Sequence, residues 1–484
     1  MAPLSNKNSE ITELNKKDLV FLSTIDLSNL IKNKTVSPVE ATEAYLNRIQ
    51  EIDPKLNSFI TVCAEEALEQ SKQAETEIQN GHHRSPMHGI PIAVKDQIYT
   101  RGIRTTNGSN VHRNFVPDFD ATVISNLKRS GSILLGKLNM SEFASGDAFY
   151  HPYGRPLNPW DLSRNPGTSS SGSGAATAAF LCSTSLGEDT AGSIRGPAAF
   201  CGLVGIRPTW GLVSRYGVFG ACWSMDTVGP ISRSTADCAI TLSAIAGYDG
   251  NDPFTRNTAV PDYLSHLTGD IKGMKIGIIE ERIKNDVVDP EVRDATNDAI
   301  SVLESLGATI INISLPLLVH SAVISSTIIA SDAASLNTEH INNNLEKFDY
   351  NNQIRMLMGS ILPGAAYQKA IKLREILRKQ IIDALKQVDV LLMPTSSIPS
   401  TLIPNKAGLT SKEEVVSSFS GRRNFTAPFN LASNPAISVN CGFTNNGLPI
   451  GLQIAGKPFD EVTVLRVAHA FESSTEWHNR KPPI

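Results

Sequence analysis

Two turns rich in glycine and serine hold the residues best suited to chemistry: Asn165-Pro166-Gly167-Thr168-Ser169-Ser170-Ser171-Gly172-Ser173-Gly174 and Gly187-Glu188-Asp189-Thr190-Ala191-Gly192-Ser193-Ile194-Arg195. They enclose one helix-strand unit. A Gly/Ser loop ahead of the run Ala175 to Leu181 has the composition of a phosphate cradle at a helix N-terminus. Its details exclude that use. No Lys follows Gly174, as a P-loop requires, and Thr177 stands where a dinucleotide fingerprint needs Gly or Ala. Nucleophilic catalysis fits better, since it needs a Ser on a tight turn, backbone N–H groups beside it and a base within reach. The small residues Ala191 and Gly192 precede Ser193. They let the N–H groups of Thr190, Ala191, Gly192 and Ser193 converge where a tetrahedral oxyanion would sit.

The base is not an obvious histidine, because no His lies between His151 and His266. A different candidate ends the apolar run His88-Gly89-Ile90-Pro91-Ile92-Ala93-Val94-Lys95-Asp96. At the end of a buried strand, desolvation disfavours an ammonium. A fall from near 10.4 to about 7 or 8, a differential cost of roughly 4 kcal/mol, makes Lys95 a working base. Asp96 would oppose this, but successive strand residues point to opposite faces.

The elements that must position these residues are legible as alternating helices and strands. Ser37-Pro38-Val39-Glu40 is a capping box that opens a helix through about Gln50. Asp120 is expected to cap a second helix, with Val123 and Leu127 on one face, that stops at Gly131 before the strand-like run Ser132 to Leu135. Asp289-Pro290 opens a third, whose Val292, Ala295, Ala299, Val302, Leu303 and Leu306 keep helical spacing to Gly307, ahead of a strand at Ala308 to Ile313. Met274 to Ile279, and a helix from Tyr367 to Leu385 feeding Val388 to Met393, repeat the pattern. Asn445-Asn446-Gly447 between two apolar runs predicts a hairpin, and hence a mixed sheet. The longest apolar stretch outside the Gly-rich centre, Leu317 to Ser331, is broken by His320 and several Ser and falls short of the ~20 residues of a membrane span, so it reads as a buried helix. With no repeat, low-complexity tract or linker, residues 1–484 are expected to form one large α/β domain. It would comprise a helical N-terminal segment over about 1–75, a core over about 85–245 and a C-terminal part of the same sheet over about 270–484.

Composition excludes other classes. With 44 Lys and Arg against 48 Asp and Glu, the net charge is −4, so there is no basic excess to neutralise phosphates. Neither direct nucleic-acid binding nor membrane association is expected. Cys63, Cys182, Cys201, Cys222, Cys238 and Cys441 form no C-x-x-C pair and no zinc-like spacing with His. They read as reduced, buried thiols, with no metal. The first twenty residues lack the apolar region of a secretory signal, and a cytoplasmic location is expected.

The chain resembles the amidase signature family of serine hydrolases. The likeness runs through His88 to Asp96, Leu135 to Phe143, Asn158-Pro159-Trp160, both Gly/Ser turns, Pro197 to Gly202, and Asp226-Thr227-Val228-Gly229-Pro230. It implies an α/β/α fold with a large mixed central sheet flanked by helices. It also implies a Ser-Ser-Lys triad: Lys95 as base, Ser169 as a bridging serine in the cis conformation, and Ser193 as nucleophile carrying an acyl-enzyme, with no cofactor. Two departures are visible. Thr168 precedes the bridging serine where a small residue, most often Gly, is usual, and Ala191 replaces a usual Gly. Ser170 is expected to support the site by hydrogen bonding, and Asp189 and Arg195 to pair and hold the second turn. Met140, Phe143, Cys222 and Trp223 are candidates for an acyl pocket, with core packing as the other reading. Retention of Lys95, Ser169 and Ser193 together argues against an inactive scaffold protein.

Within such a family the choice lies between stand-alone amidases and the glutamine-hydrolysing subunit of a tRNA amidotransferase. In the latter, an acidic residue shortly before a Pro-x-Asn-Leu-Ala stretch is expected to hold the glutamine ammonium. Here Pro428-Phe429-Asn430-Leu431-Ala432 follows Arg422-Arg423-Asn424. An Arg repels an ammonium and suits a carboxylate or carbonyl, which makes Arg423 a candidate for the substrate pocket. The sequence therefore favours a stand-alone hydrolase of small amides, esters or carbamates, a monomer or homodimer with only a small molecule as partner. The amidotransferase subunit is the alternative.

Overall fold

The structure, a computed structural model, describes residues 16–145, 150–403 and 423–484. Its frame is one sheet of eleven strands: β1 (Phe59–Val62), β2 (Pro91–Lys95), β3 (Ile133–Leu138), β4 (Thr184–Glu188), β5 (Val204–Arg207), β6 (Val228–Ser232), β7 (Lys275–Ile279), β8 (Thr309–Ile313), β9 (Val390–Pro394), β10 (Ala436–Phe443) and β11 (Pro449–Ala455). They lie in the order β1-β3-β2-β4-β6-β5-β10-β11-β9-β7-β8. The trios β3-β2-β4 and β9-β7-β8 are parallel, whereas the neighbours from β4 through β6, β5, β10 and β11 to β9 are antiparallel. Parallel neighbours need helical crossovers. Thr122–Ser130 supplies one between β2 and β3, and Ser171–Ala178 one between β3 and β4. Every residue of β2, β3 and β4 is buried, which explains the largely apolar runs of β2 and β3, while the edge strands β1 and β8 are half exposed.

Local expectations hold where the signal is local. Ser37 and Glu40 form a reciprocal capping box. That helix, Pro38–Leu56, runs past Gln50 because Pro54 falls in its last turn and the buried Ile52 and Leu56 anchor its end. The hairpin forms between β10 and β11, with Gly447 in a left-handed conformation. Asp120 does not cap its helix. Ala121 occupies that position, and the Asp120 carboxylate instead takes the Arg101 N–H at 2.8 Å and the Lys128 ammonium at 2.6 Å. Pro316–Leu336 has the length and hydropathy of a membrane crossing among the described residues, but half of its apolar stretch is buried, with Ser321, Ser325 and Asp332 turned into the interior.

The sheet order places the chemistry. Because β2 and β4 are adjacent and parallel, Lys95 and Glu188 emerge side by side at their C-terminal ends, the usual place for a site in such a sheet. The helix Ser171–Ala178, which follows the first serine turn, packs so closely on the chain before β1 and after β3 that a Cβ on Gly172 would strike the Ser58 carbonyl and come within 2.5 Å of the Asn139 nitrogen. Gly172→Ala is expected to lower stability by about 1–3 kcal/mol, read as a lower urea midpoint. An unchanged midpoint would show that the loop yields without cost.

Candidate active site

Lys95 is fully buried, and its Nζ donates to Ser169 Oγ at 2.7 Å. The same amine lies 3.3 Å from Glu188 Oε2 and 3.4 Å from the Glu188 carbonyl. Burial drives its pKa below the ordinary lysine value, while Glu188, Asp226 and Asp189 pull in the opposite direction. Strand alternation sends Asp96 elsewhere: its carboxylate accepts the Thr106 N–H at 2.8 Å and lies 3.8 Å from Lys137. Lys137 is a second buried lysine, lowered to about 8 by burial against the pull of Asp96. It donates to the Ile98 carbonyl and to Thr105 Oγ1, so it holds the loop after β2 rather than either serine turn.

The first turn enters Ser169 through a cis Thr168-Ser169 peptide bond. The Ser169 carbonyl accepts the Ser141 N–H at 3.2 Å. Ser170 Oγ donates to the Glu188 carbonyl at 3.3 Å and accepts the Glu188 N–H at 3.4 Å, tying this turn to the end of β4. The two turns also meet at a bare glycine. A Cβ on Gly187 would sit 2.9 Å from Ser170 Oγ and 3.0 Å from Ile194 Cγ1, so the neighbours of both serines crowd the same point.

The second turn is organised by one buried carboxylate. Asp189 accepts the Gly192 N–H at 2.6 Å, the Ile194 N–H at 3.1 Å, Arg195 Nη2 at 3.0 Å and Asn430 Nδ2 at 2.7 Å. Burial alone would raise its pKa, but Arg195, Arg207 and Asn430 override this and hold the carboxyl well below the usual range. Arg195 also donates to Gln453 Oε1, to Asn430 Oδ1 and to the Thr426 carbonyl. One sequence expectation needs correcting: the Gly192 N–H is committed to Asp189 and does not face an open oxyanion position. Among the described residues the N–H groups of Thr190, Ala191 and Ser193 have no hydrogen-bond partner. Ser193 itself is partly exposed, and its hydroxyl bonds neither Ser169 nor any other described residue.

The pocket candidates scatter. Met140 is fully buried, whereas Phe143 packs in a satellite cluster, stacked on Phe348 at 4.9 Å and edge-on to His112 at 5.5 Å. Cys222 is buried with its thiol donating to Asp332 at 3.0 Å, and burial with the nearby Asp226 and Asp332 pushes its pKa well up. Trp223 is 47% exposed and packs on Phe254 and Trp210. Arg422 and the Arg423 side chain lie outside the described residues. Sequence reasoning passed over Glu188, Asp226, Asn430 and Gln453. Alternation along β4 around Asp189 was the available signal for Glu188. Asn430 and Gln453 reach the site only through the sheet order. No cluster of His, Cys, Asp and Glu among the described residues is composed to hold a metal ion.

A family model described as Amidase matches residues 40–465. The chain belongs to the amidase family. Among its relatives, the A subunit of glutamyl-tRNA(Gln) amidotransferase from Geotalea daltonii is 41% identical over 96% of this chain and 100% of that protein. The crystal structure of the corresponding A subunit from Thermotoga maritima matches with a TM-score of 0.76 at 33% identity, covering 98% of this chain and 96% of that one. Peptide amidase from Stenotrophomonas maltophilia matches with a TM-score of 0.83 at 29% identity, covering 96% and 98%. These relatives overturn the expectation of a monomeric or homodimeric amidase with only a small-molecule partner and no link to nucleic acid. The full-length relatives at about 40% identity are named as subunits of an enzyme acting on a tRNA.

The Asp189–Arg195 pair is fully buried, so removing one partner strands the other. Arg195→Met is expected to cost about 3–5 kcal/mol, measured by urea denaturation. Because the Asp189 pKa is depressed in the folded state, its stabilising contribution is present above the unfolded carboxyl value and is lost as pH falls through the folded one. The variant should therefore show a flatter stability profile on the acid side, and an unchanged profile would remove the pair from that role.

Proposed function

We propose that the protein cleaves amides through an acyl-enzyme on Ser193, and that it works as the amide-hydrolysing subunit of a tRNA amidotransferase. One observation carries the chemistry: a fully buried amine, Lys95 Nζ, lies 2.7 Å from Ser169 Oγ at the mouth of the second serine turn. Burial favours the neutral amine, which takes a proton from Ser169 as Ser169 takes one from Ser193, and Ser193 Oγ attacks the carbonyl carbon. The oxyanion collects at the N–H groups of Thr190, Ala191 and Ser193. When the tetrahedral intermediate collapses, Ser169 returns a proton to the departing nitrogen, and water later releases the acyl group by the same route. Asp189 and Arg195 act by fixing the turn, and Ser170 by tying the two turns together.

The amidotransferase role rests on the full-length relatives, and it brings protein partners and a tRNA-borne acceptor for the released ammonia, in the cytoplasm. All six cysteines are free and buried, in keeping with a reducing compartment. A second reading, hydrolysis of some other amide, is favoured by Arg422-Arg423, which stand where an acidic residue would hold the ammonium of glutamine.

The deciding assay measures ammonia release from glutamine by the protein alone and with amidotransferase partner subunits and glutamyl-tRNA, beside peptide amides and aryl amides. Glutamine turnover that rises with the partners is expected. Inert glutamine in every mixture, with cleavage of a peptide or aryl amide, would transfer the assignment to the second reading. Whatever the substrate, Ser193→Ala should lose roughly 10⁴- to 10⁶-fold in kcat. Activity should also fall as pH drops through the lowered pKa of Lys95, because only the neutral amine is a base. Full turnover by Lys95→Ala would exclude it as the base.

A further inference from the structure

Behind Lys95 lies a pair of buried acids that the catalytic scheme does not use. Glu188 Oε2 is 3.3 Å from Lys95 Nζ and is also reached by Gln97 Nε2 at 3.5 Å. Thr190 Oγ1 lies 2.8 Å from Glu188 Oε1 and 2.8 Å from Asp226 Oδ1. A hydroxyl has one proton to give and lone pairs to receive. It can donate to only one carboxylate, so the second contact at this length needs a proton on the other acid. The Asp226 carboxyl also accepts the Ala221 and Cys222 N–H groups, which fixes it in place.

We propose that Glu188 and Asp226, bridged by Thr190, share a single proton that rests on Asp226, and that the remaining negative charge on Glu188 sets the pH at which Lys95 becomes a base. The ordering is Asp226 donating to Thr190, Thr190 donating to Glu188, and Lys95 donating to Glu188 and Ser169. Burial and the neighbouring Glu188 both raise the Asp226 pKa, in line with this placement. The other titratable and charged groups facing the cluster are Asp189 just after β4, Arg195 from the following helix, the buried cation Arg207 from β5, and Cys222, whose thiol donates to Asp332. Asp189 and Arg195 neutralise each other, while Arg207 caps the Asp189 and Met225 carbonyls and its charge is held by Asp189, Glu188 and Asp226 together. Glu188 is thus a positioning residue acting through Lys95. The inference rests on the reading of Lys95 as the base for Ser193.

The test follows the rate of Ser193 phosphonylation by a fluorophosphonate against pH, which needs neither substrate nor partner subunits. In Glu188→Gln the acid limb should move to lower pH by about one unit or more, because an anion that stabilised the ammonium is gone. In Asp226→Asn, which mimics a protonated acid, the limb should stay in place. An unmoved limb in Glu188→Gln, or an equal shift in both variants, overturns the proposal. Should Glu188→Gln not fold, infrared difference spectra of wild type against Asp226→Asn at neutral pH decide the case: a protonated-carboxyl C=O band present only in wild type is expected, and its absence sinks the shared proton. Undiminished labelling of Lys95→Ala would instead refute the base assignment, while an unreactive Lys95→Ala with an unmoved limb in Glu188→Gln refutes this proposal alone.

Discussion

An amine stripped of water and held 2.7 Å from a serine hydroxyl is the constraint around which the rest of this molecule is arranged. Burying an ammonium is costly, so desolvation lowers the pKa of the amine against the pull of the acids around it. The burial comes from the sheet. Strand β2 is covered on both faces and flanked by parallel partners, so its last residue cannot reach solvent as a strand-end lysine ordinarily does. Lys137 shows that burial alone is not sufficient. It is equally dry, yet its partners are a backbone carbonyl and a threonine, and its contact with Asp96 serves the loop. What distinguishes Lys95 is that a serine turn and an acidic residue both meet it.

The second serine turn is built on opposite electrostatics. Where burial opposes the charge of Lys95, Asp189 and Arg195 pair in an ion pair, each satisfied by several donors or acceptors. A pair so enclosed contributes little net stability compared with apolar packing, but it leaves the loop only one arrangement. That arrangement takes the Gly192 N–H out of reach of a substrate and leaves those of its neighbours open. The site therefore combines a turn whose backbone donors are fixed by an ion pair with a buried lysine and serine held at hydrogen-bond distance.

Membership of the amidase family constrains the chemistry more tightly than the biology. The likeness to amidotransferase subunits extends along nearly the whole chain, while the likeness in shape to a peptide amidase is as strong. One shared scaffold thus serves relatives with different named activities.

Signals confined to a few residues were readable without coordinates. The capping box at Ser37, the turn at Gly447, the apolar run into Lys95 and the two serine turns are set by hydrogen bonds, φ angles and burial periods spanning fewer than about ten residues. Asp120 marks the limit even there, since a distant N–H and a lysine claimed its carboxylate. Who meets whom was decided by the order of strands. Glu188 faces Lys95 because β4 lies beside β2, and Arg195 finds Asn430 and Gln453, 235 and 258 residues away, because β10 and β11 fold back toward the site. Sequence periodicity records which face of an element is dry, but carries no measure of which other element will cover it, and the charge balance of a buried site depends on that second fact.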